Sequence, residues 1–154
     1  IHFMAKGGGS EYPTVLALVP PAEGLRGVKR VVLEAVLRAG PMPCPPVVVG
    51  VGLAAGADIA LKLAKKSLLR PLGVRHEEPE IAKLEEELLG LVNKLGIGPH
   101  GFGGKCTALD VKVDYAHRHP ASFAVGVTFS CWALRRASGL VRPDGRIEVT
   151  SEHV

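Results

Sequence analysis

The sequence has no glutamine, one asparagine (Asn93) and one tryptophan (Trp132). Aromatic residues make up 5% of its 154 residues. That is too few to alternate with basic side chains as base-stacking platforms, so no nucleic-acid partner is expected despite the net charge of +4. Three cysteines occur, Cys44, Cys106 and Cys131, with no CxxC spacing. The opening residues 1–6 lack the basic-then-apolar pattern of a secretory leader. An odd cysteine count without such a leader argues against a disulfide framework and for a reducing, cytoplasmic setting. Charges or prolines interrupt every apolar run before the roughly 18 residues of a membrane span, so no membrane partner is expected. The 12 prolines exclude a coiled coil, and the 47% hydrophobic content excludes disorder. The first residue is not Met, and an apolar, strand-like run follows at once. A piece of a longer polypeptide is therefore expected.

Helix-period and strand-period segments alternate along the chain. Residues 2–6 read as a strand running into Lys6-Gly7-Gly8-Gly9-Ser10, whose glycine N–H groups are free to converge on an anion. Residues 25–39 read as a helix with Leu25, Val28, Val32, Leu33, Val36 and Leu37 on one face. Pro41 to Pro46 reads as a stiff, extended passage with Cys44 inside it. Residues 47–52 form an apolar run, expected as a buried strand. Helices follow over about 57–69 and 79–95. The second buries Ile81, Leu84, Leu88, Leu91, Val92 and Leu95, with Glu85, Glu86 and Lys94 largely opposite. A glycine-rich loop over 96–104 precedes β-rich stretches at about 107–115 and 122–132. A turn at Pro143-Asp144-Gly145 then leads into a strand over 146–150. The fold class is α/β or α+β, with mixed β-sheets flanked by helices.

Three constellations could carry chemistry. Gly50-Val51-Gly52-Leu53-Ala54-Ala55 is a GxGxxA between strand and helix. It is read either as a dinucleotide fingerprint or as glycines for close helix–strand packing. The acidic residue expected about 20 positions on is missing, which favours packing. The cysteines are read as buried thiols or as metal ligands: Cys44 sits on a proline-fixed loop and Cys131 at a strand end, a donor pair suited to an iron–sulfur cluster. His117-Arg118-His119 is read as a surface turn or as a donor to a carboxylate.

These pieces occur together in one order. Lys6-Gly7-Gly8-Gly9-Ser10-Glu11, then Cys44-Pro45-Pro46 before a Val-Gly-rich strand, resembles the iron–sulfur class I fumarases and the related L-tartrate dehydratases. The run from Leu61 to Arg70 continues the likeness, as do Gly103-Gly104-Lys105, the stretch Ala108 to Val111, Arg118-His119 and Ser130-Cys131. Residues 1–154 are similar to the C-terminal part of the α subunit, an incomplete fragment of the catalytic domain. The resemblance implies a [4Fe–4S] cluster with Cys44 and Cys131 as two of its three ligands. The first family ligand lies in a Cys-Gln-Asp-Thr-Gly segment absent here, and Cys106 falls at a position that is not a ligand. Gly8 matches a backbone N–H donor to a small dicarboxylate substrate and His119 a histidine donor to it, with the proton-transfer residues expected outside the chain. A β subunit or fused C-terminal domain is implied as partner, within an oligomer. The expected reaction is reversible hydration of fumarate to (S)-malate. L-tartrate dehydration is the alternative, and a non-catalytic nucleotide-binding module is the rival of another class. Residues 1–154 alone are expected to be inactive. Tyr12 departs from the family, which often has Asn there.

Overall fold

The computed structural model describes residues 1–54 and 56–149. Its central element is the apolar run, which forms β3 (Val47–Ala54), buried along its whole length. Strand alternation gives β3 two different faces. Val47, Val49, Val51 and Leu53 belong to the main core, while Gly50 and Gly52 face the other way, against a helix. Three strands complete the sheet, namely β2 (Val15–Leu18), β4 (Ala108–Tyr115) and β5 (Ala124–Ser130), in the order β2-β5-β3-β4. β4 runs parallel to β3, and β5 runs antiparallel to both β3 and β2.

Helices α2 (Gly24–Ala39) and α4 (Pro79–Lys94) cover the valine face, where Val28, Val32 and Val36 meet Leu84, Leu88, Val92 and Phe129. The opposite face takes α3 (Ala57–Ser67). A β-carbon at Gly52 would stand 1.9 Å from the Ala60 carbonyl oxygen, and one at Gly50 would stand 2.2 Å from that of Ala64. The glycines of the GxGxxA segment therefore serve helix–strand packing. Both lie inside β3 rather than in the strand-to-helix turn where a dinucleotide fingerprint needs them. Ala55 lies outside the described residues.

Several expectations need correction. In α2 the buried arc centres on Val28, Val32, Ala35 and Ala39. Leu37 lies opposite that arc and Leu25 in the first turn, and both are exposed. In α4, Glu85 is fully buried, because it shares a face with Leu88 and Val92, three and seven residues on. The passage from Pro41 to Pro46 is no extended segment. The Cys44 N–H donates to the Pro41 carbonyl at 3.0 Å, and Cys44 has φ +54°. β2 has no counterpart in the sequence reading.

A second, antiparallel sheet joins distant parts of the chain, with β1 (His2–Ala5), β6 (Arg135–Val141) and β7 (Ile147–Val149) in the order β1-β6-β7. The expected turn closes β6 onto β7, with the Gly145 N–H on the Arg142 carbonyl at 2.9 Å. The end of the expected last strand, Thr150, lies outside the described residues. Among the described residues no helix is long and apolar enough to cross a membrane.

Candidate functional site

The two ends of the four-stranded sheet carry different chemistry. Val48 pairs with Ser130 where β3 begins and β5 ends. Cys44, just before β3, and Cys131, just after β5, therefore share one end. The Trp132 N–H donates to the Cys44 carbonyl at 3.4 Å and ties the two segments together. Cys44 is a non-glycine residue in the left-handed region, a conformation costing roughly 1–2 kcal/mol. The proline turn and the Trp132 contact hold it there.

The triple-glycine segment reaches the same end. Gly8 opens a single helical turn, α1 (Gly8–Glu11), closed by the Ser10 hydroxyl donating to the Gly7 carbonyl at 2.9 Å. First-turn N–H groups have no intrahelical acceptor, so Gly8 presents its N–H outward, and the space beside its Cα is open. Gly9 is required sterically, because a β-carbon there would lie 2.7 Å from the Met42 carbonyl oxygen. That close approach locks the glycine turn against the Cys44 turn. Thr14 and Thr128 fix the following segment to β5 through their hydroxyls at 2.9 Å.

Two lysines flank this corner. Lys6 Nζ lies 2.8 Å from a Glu11 carboxylate oxygen, and Lys65 Nζ lies 2.6 Å from the other. Burial pulls the Lys6 ammonium below its ordinary pKa, against the opposing pull of Glu11. Both lysines hold the Glu11 carboxyl below its usual range. Lys6 and Gly9 are site residues that the sequence reading left unassigned. The signal for Lys6 was its place directly before the glycine run.

All three thiols are free. Cys44 and Cys106 are exposed and Cys131 is half-buried, so the reading of the cysteines as buried thiols fails. Cys106 precedes β4, which starts beside β3, and its sulfur lies 3.8 Å from the Ala108 carbonyl oxygen. Among the described residues no three or more His, Cys, Asp or Glu side chains form a metal-binding group.

His119 lies at the other end of the sheet. It belongs to the loop before β5, where the Ala116 N–H donates to the Leu53 carbonyl at 2.8 Å, near the end of β3. The seven residues of β5 separate it from Cys131, a span of about 23 Å. The Ala121 N–H donates to His119 Nδ1 at 3.1 Å, so the neutral imidazole carries its proton on Nε2 and can donate it outward. The structure thus brings Gly8, Cys44 and Cys131 to one end and leaves His119 apart.

A cavity of about 690 Å³ is lined by Lys66, Arg70, Arg75, His76, Asp114 and Arg136 among others. Its guanidinium groups are already committed. Arg70 bridges Glu85 at 2.5 Å and Asp114 at 2.6 Å, Arg75 meets Asp110 at 2.7 Å, and Arg136 spans the carbonyls of Leu68, Leu69 and Arg70. These groups seal the outer edge of β4, where Glu85 accepts the Val113 N–H at 2.7 Å and Asn93 accepts those of Thr107 and Ala108. The cavity wall is a structural ion network.

Comparison with known proteins adds a direct observation. A family model described as fumarate hydratase (Fumerase) matches residues 1–139. The putative L(+)-tartrate dehydratase subunit alpha of Methanocaldococcus jannaschii is 51% identical over 142 residues, covering 92% of this chain and 50% of that protein. The L(+)-tartrate dehydratase subunit alpha of Escherichia coli K12 is 41% identical over 144 residues, covering 94% of this chain and 48% of that protein. The chain spans about half the length of the curated relatives it matches.

Proposed function

The chain belongs to the fumarate hydratase (Fumerase) family, and from that membership we propose that it forms the C-terminal part of the α subunit of an iron–sulfur hydro-lyase. The reaction is reversible hydration of fumarate to (S)-malate, in the cytoplasm. The observation that carries the reading is the convergence of Cys44, Cys131 and the Gly8 turn at one end of the sheet.

The residues present fit a sulfur-bridged iron cluster. Two sulfur donors stand on backbone fixed by a turn and a strand end. Beside them, the enclosed Lys6 Nζ lacks a well-aligned hydrogen-bond acceptor among the described residues. Soft thiolates suit iron–sulfur ligation, and a buried cation suits a negatively charged group. Cys44 and Cys131 would hold the cluster, with a third sulfur from outside this chain. A bound [4Fe–4S] cluster supplies Lewis-acid activation of the hydroxyl lost as water. The Gly8 N–H orients a substrate carboxylate against that corner. Exposed Met42 and Trp132, next to the two cysteines, form an apolar rim for a β subunit or fused C-terminal domain to cover, excluding water. His119 enters this reading only as a donor to the site of a neighbouring subunit in the oligomer, because β5 carries it away from its own cysteines.

A second reading keeps the chemistry and changes the substrate. The two relatives described above are named as tartrate dehydratase α subunits, and their names support L-tartrate as the alternative substrate. The test is anaerobic co-expression of the full-length α chain with its partner, followed by iron analysis and initial rates on malate, fumarate and tartrate. About four irons per αβ unit with turnover of malate supports the first reading. Preference for tartrate selects the second, and absence of both iron and turnover refutes the hydro-lyase assignment.

A further inference from the structure

We propose that Lys6 is the counter-charge of the Cys131 sulfur, a positioning residue whose enclosed ammonium raises the reduction potential of a cluster bound through that sulfur. The inference rests on the iron–sulfur reading above and assigns a role within it.

The placement follows from the second sheet. β1 ends at Ala5, which pairs with Arg135 at the start of β6, four residues past Cys131. Lys6 is therefore delivered beside the segment that carries the thiol. Its side chain is only 10% exposed, and its Nζ is shut off from solvent without a well-aligned hydrogen-bond acceptor. A buried ammonium left in that state is costly unless a negative charge meets it.

Glu11 does not meet that need alone. Its carboxylate is shared between Lys6 and Lys65, so two positive groups face one negative group and the trio keeps a net positive charge. Lys65 is nearly half exposed and water screens it, whereas Lys6 has no such outlet. Glu11, Lys65 and Cys131 are among the groups whose charges act on Lys6. Of these, Cys131 would supply a further negative charge as a thiolate bound to iron. Reduction adds an electron to that centre, and a fixed neighbouring cation favours the reduced form.

The test is a redox titration of the cluster in the full-length α chain with its partner subunit, followed by electron paramagnetic resonance. Lys6→Met removes the charge at similar volume and is expected to move the midpoint potential to more negative values. Lys6→Arg keeps the charge and is expected to stay close to wild type. Glu11→Gln removes the opposing charge and is expected to move the potential the other way. A purely structural role for Lys6 gives no such pair of opposite shifts. A wild-type complex without a cluster overturns the iron–sulfur reading and the Lys6 role with it. A wild-type cluster whose potential moves with neither variant, or moves the same way with both, overturns the Lys6 role alone. If Lys6→Met does not assemble, Glu11→Gln decides, since a positive shift supports the counter-charge and its absence overturns it.

Discussion

Gly52→Ala isolates the packing role of the glycines in β3. The added β-carbon would stand 1.9 Å from the Ala60 carbonyl oxygen and 2.6 Å from the Ala64 nitrogen, both backbone atoms of α3. An ordinary carbon–oxygen contact needs at least about 3.3 Å, so α3 would have to lift from the sheet by about 1.4 Å. No flexible side chain can absorb that shift. Lifting α3 also opens its contact with Gly126, where a β-carbon would come within 2.8 Å of Ala60, and with the small cluster of Ala54, Ala60 and Ala124. Overpacking usually costs about 1–3 kcal/mol, and a backbone clash on the central strand belongs at or above the top of that range. About 3 kcal/mol lowers Tm by roughly 6–12 °C for a protein of about 150–250 residues, and by less in a longer chain. Gly90→Ala is the matched control, because it lies inside α4 with nothing within 4 Å of the new carbon. It is expected to gain about 0.4–1 kcal/mol from the loss of glycine's backbone freedom. Thermal and urea unfolding of the full-length protein, followed by circular dichroism, measure both. Should Gly52→Ala melt within about 2 °C of wild type, the packing argument fails. Loss of nucleotide binding without loss of stability would instead return the segment to a fingerprint role.

The cysteines and His119 give two further outcomes in the assembled enzyme. Cys131→Ser is expected to abolish iron loading and Cys106→Ser to leave it at the wild-type level, and the reverse pattern in iron analysis would sink the ligand assignment. Cys131→Ser and His119→Asn are each expected to be strongly impaired alone. Mixed after dissociation, they should recover up to about a quarter of the wild-type rate if subunits pair at random in a twofold dimer. No recovery would mean that His119 serves no neighbouring site. A fourth outcome concerns acid stability. Burial pushes the Asp110 carboxyl upward, but the Lys112 ammonium at 2.7 Å, the Gly73 N–H and the Arg75 guanidinium together hold it below its ordinary value. With the folded value below the unfolded one, its contribution is present above about pH 4 and lost as pH falls through the folded value. Asp110→Asn should therefore lower Tm at neutral pH and flatten its decline below pH 4. An unchanged acid slope refutes that role.

What the sequence makes legible follows strand polarity and local pattern. The run from Val47 to Gly52 reads as a buried strand because no polar residue interrupts it. α4 reads as a helix because Leu84, Leu88 and Val92 recur at its period. β2 escapes because Leu16 and Leu18, its outward positions, are apolar and exposed, so no alternation marks it. Glu85 escapes because a charged residue reads as solvated until Arg70 arrives from a segment 15 residues away in sequence. The left-handed backbone of Cys44 has no sequence signature at all, since the prolines around it suit an extended chain equally well. The resemblance groups His119 with Gly8 and the cysteines in one site, and the topology sets it at the opposite end of the sheet from them. Neighbouring antiparallel strands bring the residue before one to the residue after the other. Cys44 before β3 therefore meets Cys131 after β5, while His119 before β5 is sent to where β3 ends. The same rule puts Cys106, before the parallel strand β4, at the cysteine end as well. Polarity alone does not separate it from the two proposed ligands, and across the sheet β3 stands between β4 and β5. Two strand spacings of about 4.8 Å then lie between the strands that carry Cys106 and Cys131. The strand after Cys44 is a direct neighbour both of the strand that ends at Cys131 and of the strand that follows Cys106, so the iron analysis of Cys131→Ser against Cys106→Ser is what separates the two thiols.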